Sequence, residues 1–247
     1  MSLTDGQERV LSLLYVFSST LSIIGSSTII FKVLANRGKA TSYDRLMLGL
    51  SLCDIVSSIA YSLYPFFLPA QTSPRVWAFG NEATCSFIGF MTQFGFSAAV
   101  YNGFLSYYYV LTIRYGMDRK FFAERYEALM HFFGLTFCFI SALVGSVKGF
   151  YSEVQLGFGC WVNDYPRGCI GDECMGALIG GLYGGIPLFF SLFSMIFNNL
   201  LVYLHVRSVF RSSEIVLSER ILRQKVQKRE VRPRDKSLLL VVPLERI

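Results

Sequence analysis

The chain has 247 residues, 53% of them hydrophobic and 16% charged. A soluble domain carries about a quarter charged residues; here the deficit comes from long uncharged runs, which excludes an ordinary soluble globule and points to the membrane class. The net charge of +6 would suit a nucleic-acid partner, but the basic residues sit in short loops and the tail, where a membrane protein keeps its cytoplasmic cations, so no nucleic acid is expected.

Residues 1–9 are polar, with Asp5, Glu8 and Arg9. The apolar stretch Val10 to Leu34 is too long for a signal peptide and has no small-x-small cleavage site, so it reads as an uncleaved first span. The loop from Ala35 to Arg45 holds Arg37, Lys39 and Arg45 against Asp44. The second span, about 46–68, contains Asp54, and Pro65 and Pro69 bend or end it. The loop from Ala70 to Thr84 is polar and carries Trp77, as suits an interface.

The stretch from Cys85 to Arg119 organises the chain. Between Ser86 and Ile113 it has no charged side chain, more than the roughly 20 apolar residues a bilayer needs, so the third span is about 86–113. The next loop, Arg114 to Glu127, is basic through Arg114, Arg119, Lys120 and Arg125. A fourth span follows at about 128–147. The loop from Lys148 to Met175 is the least basic long loop and holds Cys160, Cys169 and Cys174. The fifth span, about 176–206, opens on Gly176, Gly180, Gly181, Gly184 and Gly185 and has Pro187 in its middle. The four-residue glycine spacing presents a small-residue face to a neighbouring helix. From Arg207 to Lys236 there are ten Lys or Arg against four acids, with Glu214, Glu219 and Arg223 suiting a helix that continues beyond the span.

Loops after spans one, three and five are basic and loops after two and four are not. The positive-inside rule then predicts an extracellular N-terminus and a cytoplasmic tail, 207–247. The expected fold is all-α: a polytopic membrane helix bundle with five transmembrane helices.

Asp54 is the only carboxylate inside a span. A charge there costs at least ~2.5 kcal/mol on insertion scales, so it is expected to face the interior, protonated or bound to a cation. Polar neighbours are Ser51, Ser57 and Ser58 in its own span, Ser26 and Ser27 in the first, and Asn102 and Ser106 in the third. An ion site coupled to a switch and a structural hydrogen-bond hub are the two roles open to it. Gln93, Ser97 and Tyr101 recur every four residues on one helical face, either the wall of an outward-facing ligand pocket or an interhelical packing face. Arg114 and Tyr115 lie at the cytoplasmic mouth of the third span, for contact with a partner or simply under the positive-inside rule. Cys85, Cys160, Cys169 and Cys174 lie on the outer side, where disulfides persist. They allow three pairings; Cys169 and Cys174, five residues apart, would close a small loop and leave Cys85 with Cys160. There is no metal-spaced His/Cys set, phosphate-binding loop or nucleophile motif, so neither an enzyme nor a cofactor is expected.

Gly25 to Ile30 reads G-S-S-x-I-I, Leu50 to Asp54 reads L-S-x-x-D, the third span opens with a cysteine and closes on Ile113-Arg114-Tyr115, a cysteine sits in the second outer loop, and a proline sits in the fifth span. In that order and spacing these motifs resemble the first five helices of a seven-transmembrane G-protein-coupled receptor, of the rhodopsin-like or protist cAMP-receptor-like kind, over Val10 to Arg211. The resemblance implies a plasma-membrane protein that senses an extracellular ligand and signals to a heterotrimeric G protein. It implies that Asp54 is the sodium-site aspartate, Arg114 the arginine of the D/E-R-Y switch, Cys85 and Cys160 the outer disulfide, and Pro187 the fifth-helix proline. The departures are Ser26 where asparagine is usual, Ile113 in place of the acid before the arginine, no tryptophan in the fourth span, and 29 residues between Cys85 and Arg114. They point to a divergent lineage. With five of seven helices matched, the sequence reads as a truncated product, a fragment, or a remnant that associates with a full receptor as a dimer. A solute transporter or channel subunit is the other class; it would usually show paired repeats or several intramembrane charges, and only Asp54 qualifies.

Overall fold

The structure is a computed structural model, and it describes residues 4–70, 77–154, 159–163, 165 and 174–230. Five helical stretches among them are long and apolar enough to cross a membrane. Helix is what a lipid environment selects, because every backbone N–H and C=O must find a partner within its own segment. The bundle forms a first compact unit, residues 1–202; residues 203–247 form a second. Within the second, the described residues Tyr203–Glu230 are helical, and exposed Phe210, Leu217 and Leu222 alternate with Arg207, Arg211 and Arg220.

The first span is α1 (Asp5–Ala35), started by a capping box in which Thr4 and Gln7 satisfy each other's backbone N–H groups. Its buried residues are Ser12, Ser19 and Ser26, one every seven. This stripe of small side chains lies where α1 packs on α2 (Ser42–Phe67), and close backbone approach of this kind drives helix association in lipid. Helix α2 opens on a second capping box, Thr41 with Asp44, and carries Pro65 in its last turn.

The third span is not one straight helix. α3 (Glu82–Gly95) ends at Phe96, α4 (Ser97–Tyr109) follows directly, and Val110–Arg114 is a π-helical turn. The fourth begins at Arg119, not near Ala128: Asp118 accepts from the N–H groups of Lys120 and Phe121 and so starts α5 (Arg119–Phe122). A π turn, Ala123–Glu127, then leads into α6 (Ala128–Lys148). Half of the expected basic loop is therefore helical. Gly149 (φ 70°) ends α6 in the left-handed region that glycine tolerates.

The second long loop contains a hairpin of β1 (Tyr151–Glu153) and β2 (Cys160–Val162), paired antiparallel with Ser152 opposite Trp161. The fifth span starts as α7 (Gly176–Gly180), passes through a π turn at Gly181–Gly185, and continues as α8 (Ile186–Glu230). Two buried clusters result. Ala60, Tyr64, Leu68, Cys85, Ile88 and Cys160 form the one at the hairpin end. Leu46, Cys53, Tyr101, Tyr108, Leu111, Phe122 and Met130 form the one toward Arg114.

Close packing between α2 and α3 depends on Gly95, where an added Cβ would run into the Cβ of Ser57. Gly95→Val should lower stability by about 1–3 kcal/mol, the usual cost of overpacking. Gly25 of α1, with nothing within 4 Å of an added Cβ, is the control: Gly25→Ala should hold or raise stability by about 0.5–1 kcal/mol. Thermal unfolding of the purified variants in one detergent checks both.

Candidate functional site

The site at the hairpin end is built around Gln93. Its side chain is fully buried in the last turn of α3. Its amide nitrogen donates to Ser141 Oγ of α6 at 2.9 Å and to the Tyr183 carbonyl of the fifth span at 3.0 Å. Its Oε1 accepts from Trp161 Nε1 of the hairpin at 2.9 Å. Three of the four hydrogen bonds an amide can make are thus used, each to a different element. Pro187 removes the usual donor of the Tyr183 carbonyl. Proline has no N–H to return to the carbonyl four residues earlier, and here that residue is Tyr183, inside the π turn. Pro187 is itself fully buried.

The hairpin is held down at three points. The Cys85–Cys160 disulfide joins it to the top of α3. Tyr151 is fully buried between Gly89 and Gly145, neither of which has room for a Cβ beside its ring. Its hydroxyl donates to the Ala142 carbonyl at 3.1 Å, and burial raises the phenol's pKa, which keeps it protonated as a donor. Trp161 rests edge-on against Phe96, centroids 5.5 Å apart, and against Gly184, where a Cβ would strike the indole. The Cys85–Cys160 bond is the one the receptor resemblance implies. Cys174 is also disulfide-bonded; Cys169, expected as its partner, lies outside the described residues.

Gln93, Ser97 and Tyr101 do share one buried face of the third span, but protein groups close it. Ser97 Oγ, fully buried, faces the thiols of Cys53 and Cys138. Tyr101 turns toward the Arg114 end: its ring abuts Gly49, and its hydroxyl is 2.8 Å from His131 Nδ1.

The Asp54 set divides in two. Asp54 Oδ2 accepts from Ser22 and Ser26 of α1, both at 2.6 Å, and Ser51 Oγ is buried without a partner one turn away. Ser22 and Ser26 are four residues apart and share a helical face, whereas Ser27 is exposed. Ser57 bonds the Asp54 carbonyl, and Ser58 is buried. Ser106 is engaged elsewhere, accepting from Asn198 Nδ2 of α8 at 3.1 Å; Asn102 is half-buried. All the donors around Asp54 are oxygen, the ligand type a hard cation takes.

At the basic end, Arg114 is half-buried with its guanidinium 5.7 Å from the Tyr115 ring centroid. Among the described residues it pairs with no carboxylate. The ion pair at this end joins Arg45 of α2 to Glu127, through Nε to Oε1 and through a second nitrogen to Oε2 at 2.7 Å. Glu127 is buried, and His131 Nε2 lies 4.0 Å from its Oε1. A polar chain therefore runs from Arg45 through Glu127 and His131 to Tyr101. Among the described residues no group of three or more His, Cys, Asp or Glu could hold a metal ion.

The sequence reading did not find Trp161, Tyr151, Ser22, Asn198 or the Arg45–Glu127 pair. The glycine spacing of the fifth span was the available signal for Trp161, since Gly184 leaves room for its ring.

No family model matches the chain, and no curated protein matches it. The solved structure of squid rhodopsin matches with a TM-score of 0.59 at 14% sequence identity, over 93% of this chain and 64% of that one. The fold is the rhodopsin-type membrane helix bundle. The chain spans about 64% of the length of the squid rhodopsin chain.

Breaking the Arg45–Glu127 pair leaves a buried carboxylate without its cation. Arg45→Ala should cost roughly 1–3 kcal/mol, less than a fully buried pair would, because the Arg45 side chain is 41% exposed. Glu127→Gln should cost less, since it leaves no charge behind. The reversed pair, Arg45→Glu with Glu127→Arg, should recover part of the loss. Thermal unfolding of the three variants checks the order.

Proposed function

We propose that the chain is a receptor of the G-protein-coupled kind: an extracellular ligand binds at the hairpin end, and the basic end engages a heterotrimeric G protein. The N-terminus would lie outside the plasma membrane and the tail inside, as the loop charges direct. The observation that carries this reading is the pair of buried hydrogen-bonded groups that join spans inside a rhodopsin-type bundle: Gln93 with Ser141 and Tyr183 beneath a disulfide-tethered hairpin, and Ser106 with Asn198 nearer Arg114. A ligand that binds two arrangements of such a bundle unequally shifts their populations, and interhelical hydrogen bonds are the contacts that differ between arrangements. Asp54, Ser22 and Ser26 would hold a hard monovalent cation that biases that equilibrium, with Asn102 on the neighbouring span. Arg114 and Tyr115 would meet the G protein, Pro187 would set the kink of the fifth span, and Gln93 and Ser97 would face the ligand, with Tyr101 linking them to the inner end. The transporter reading has less support, since the sequence shows no paired repeats.

The test is nucleotide exchange in membranes from cells that express the chain with a panel of Gα subunits. The expected result is exchange above mock-transfected membranes with at least one Gα. Arg114→Ala should abolish that signal and Asp54→Asn should change it, at equal surface expression. Exchange equal to mock with every Gα, or unaltered by both substitutions, overturns the reading.

A further inference from the structure

The indole of Trp161 sits where a molecule entering from the hairpin end would meet the bundle, and the groups around it define what that seat accepts. Gln93 is fixed in one orientation by two independent constraints. The Tyr183 carbonyl can only accept, so the amide nitrogen must face it. The Trp161 N–H can only donate, so Oε1 must face the indole. Both amide protons are taken, by Tyr183 and Ser141, and turning the amide over would break the bonds to the Tyr183 carbonyl and the Trp161 N–H. The seat therefore presents a fixed, buried acceptor. Its walls are flat and apolar: the Phe96 ring edge on one side, and on the other Gly184, whose missing Cβ is the space the indole occupies.

The side chain filling this seat is carried by the hairpin and not by a span. Trp161 is half-buried, and it hangs from a hairpin of two three-residue strands, a unit that is marginal without outside support. That support is the neighbouring Cys160 disulfide to Cys85 together with Tyr151, buried between Gly89 and Gly145, and it keeps the indole at high effective concentration beside its seat whether it is in or out.

We propose that Trp161 is a tethered occupant of the chain's own ligand seat, and that the seat selects a planar aromatic molecule with an N–H or O–H donor that takes over the bond to Gln93 Oε1. This rests on the reading that a ligand binds at the hairpin end. An aromatic molecule without a donor would leave a buried acceptor unpaired and is rejected for that reason. Because the tether competes with any free ligand, removing the indole should expose a site that binds indole itself, as other emptied apolar sites bind the molecule whose shape was removed.

The experiment uses the full chain in lipid nanodiscs. Trp161→Ala should unfold at a lower temperature than wild type. Millimolar indole should recover a larger part of that loss than 1-methylindole, which has the same ring but no donor, and adding Gln93→Leu should erase the difference. Equal recovery by the two compounds, or none by either, overturns the proposal. Should the alanine variant fail to fold, Trp77→Phe makes Trp161 the only tryptophan of the chain, which has two. Its emission should then be blue and shielded from acrylamide, and Gln93→Leu should shift it red and open it to the quencher; an unchanged spectrum overturns the proposal. Neither readout involves a G protein, so a chain that binds indole selectively but drives no nucleotide exchange would sink the signalling reading and leave this one standing.

Discussion

A proline in a lipid-embedded helix leaves a carbonyl without its donor, and in hydrocarbon that carbonyl has no water to turn to. Pro187 does this to Tyr183, and the organisation of the hairpin end follows from how the chain answers it. The donor is the Gln93 amide, which must come from another span and must be buried to reach. Once buried, its remaining proton and its oxygen need partners of their own. Ser141 of the fourth span takes the proton and Trp161 of the hairpin supplies the other donor. One backbone vacancy thus fixes the relation of three spans and a loop. Ser141 in turn donates to the Cys138 carbonyl, so the network ends on backbone and leaves none of these three side-chain groups unpaired.

Hydrophobic burial cannot hold such a bundle together, because lipid is as apolar as the side chains. Phe17, Phe31 and Val147 are well exposed, where a soluble protein would hide such residues. What remains is close packing at small residues and hydrogen bonds between spans. The serine stripe of α1, Gly95 against Ser57, and Gly103, where a Cβ would come within 2.8 Å of the Phe190 ring, supply the first. Ser22 and Ser26 with Asp54, Asn198 with Ser106, and Tyr64 with Thr92 at 2.5 Å supply the second. Each such bond is worth only about 0.6 kcal/mol on average, so no single contact dominates.

The parts legible in the sequence are those that depend on local composition. Uncharged runs gave the five spans, and the placement of four cysteines in outer loops led to a preference for Cys85 with Cys160. The helix repeat was also legible where it was used: it put Gln93, Ser97 and Tyr101 on one buried face. Applied to α1 it would have paired Ser22 with Ser26 and turned Ser27 away. The contacts that make the site were not legible, because they join residues with no local signature. Trp161 and Gln93 are 68 residues apart, and Arg45 and Glu127 are 82 apart. The hairpin was missed because three-residue strands carry no measurable alternation. The early start of the fourth span was missed because its charges look like a loop until Arg45 neutralises Glu127.

That last pair bears on the departure at Ile113. In the receptor resemblance an acid next to Arg114 restrains the inner end of the third span; here the neighbour is apolar, and among the described residues Arg114 lies beside the Tyr115 ring and pairs with no carboxylate. The buried carboxylate of this end is Glu127, and its cation comes from the second span. Through His131 the same carboxylate reaches Tyr101, two helical turns below Gln93 on the face that begins under Trp161. The polar groups of the basic end and the bonds of Gln93 at the hairpin end are therefore attached to one short stretch of the third span, residues 93–101. The break at Phe96 falls inside that stretch, so Gln93 belongs to α3 and Tyr101 to α4.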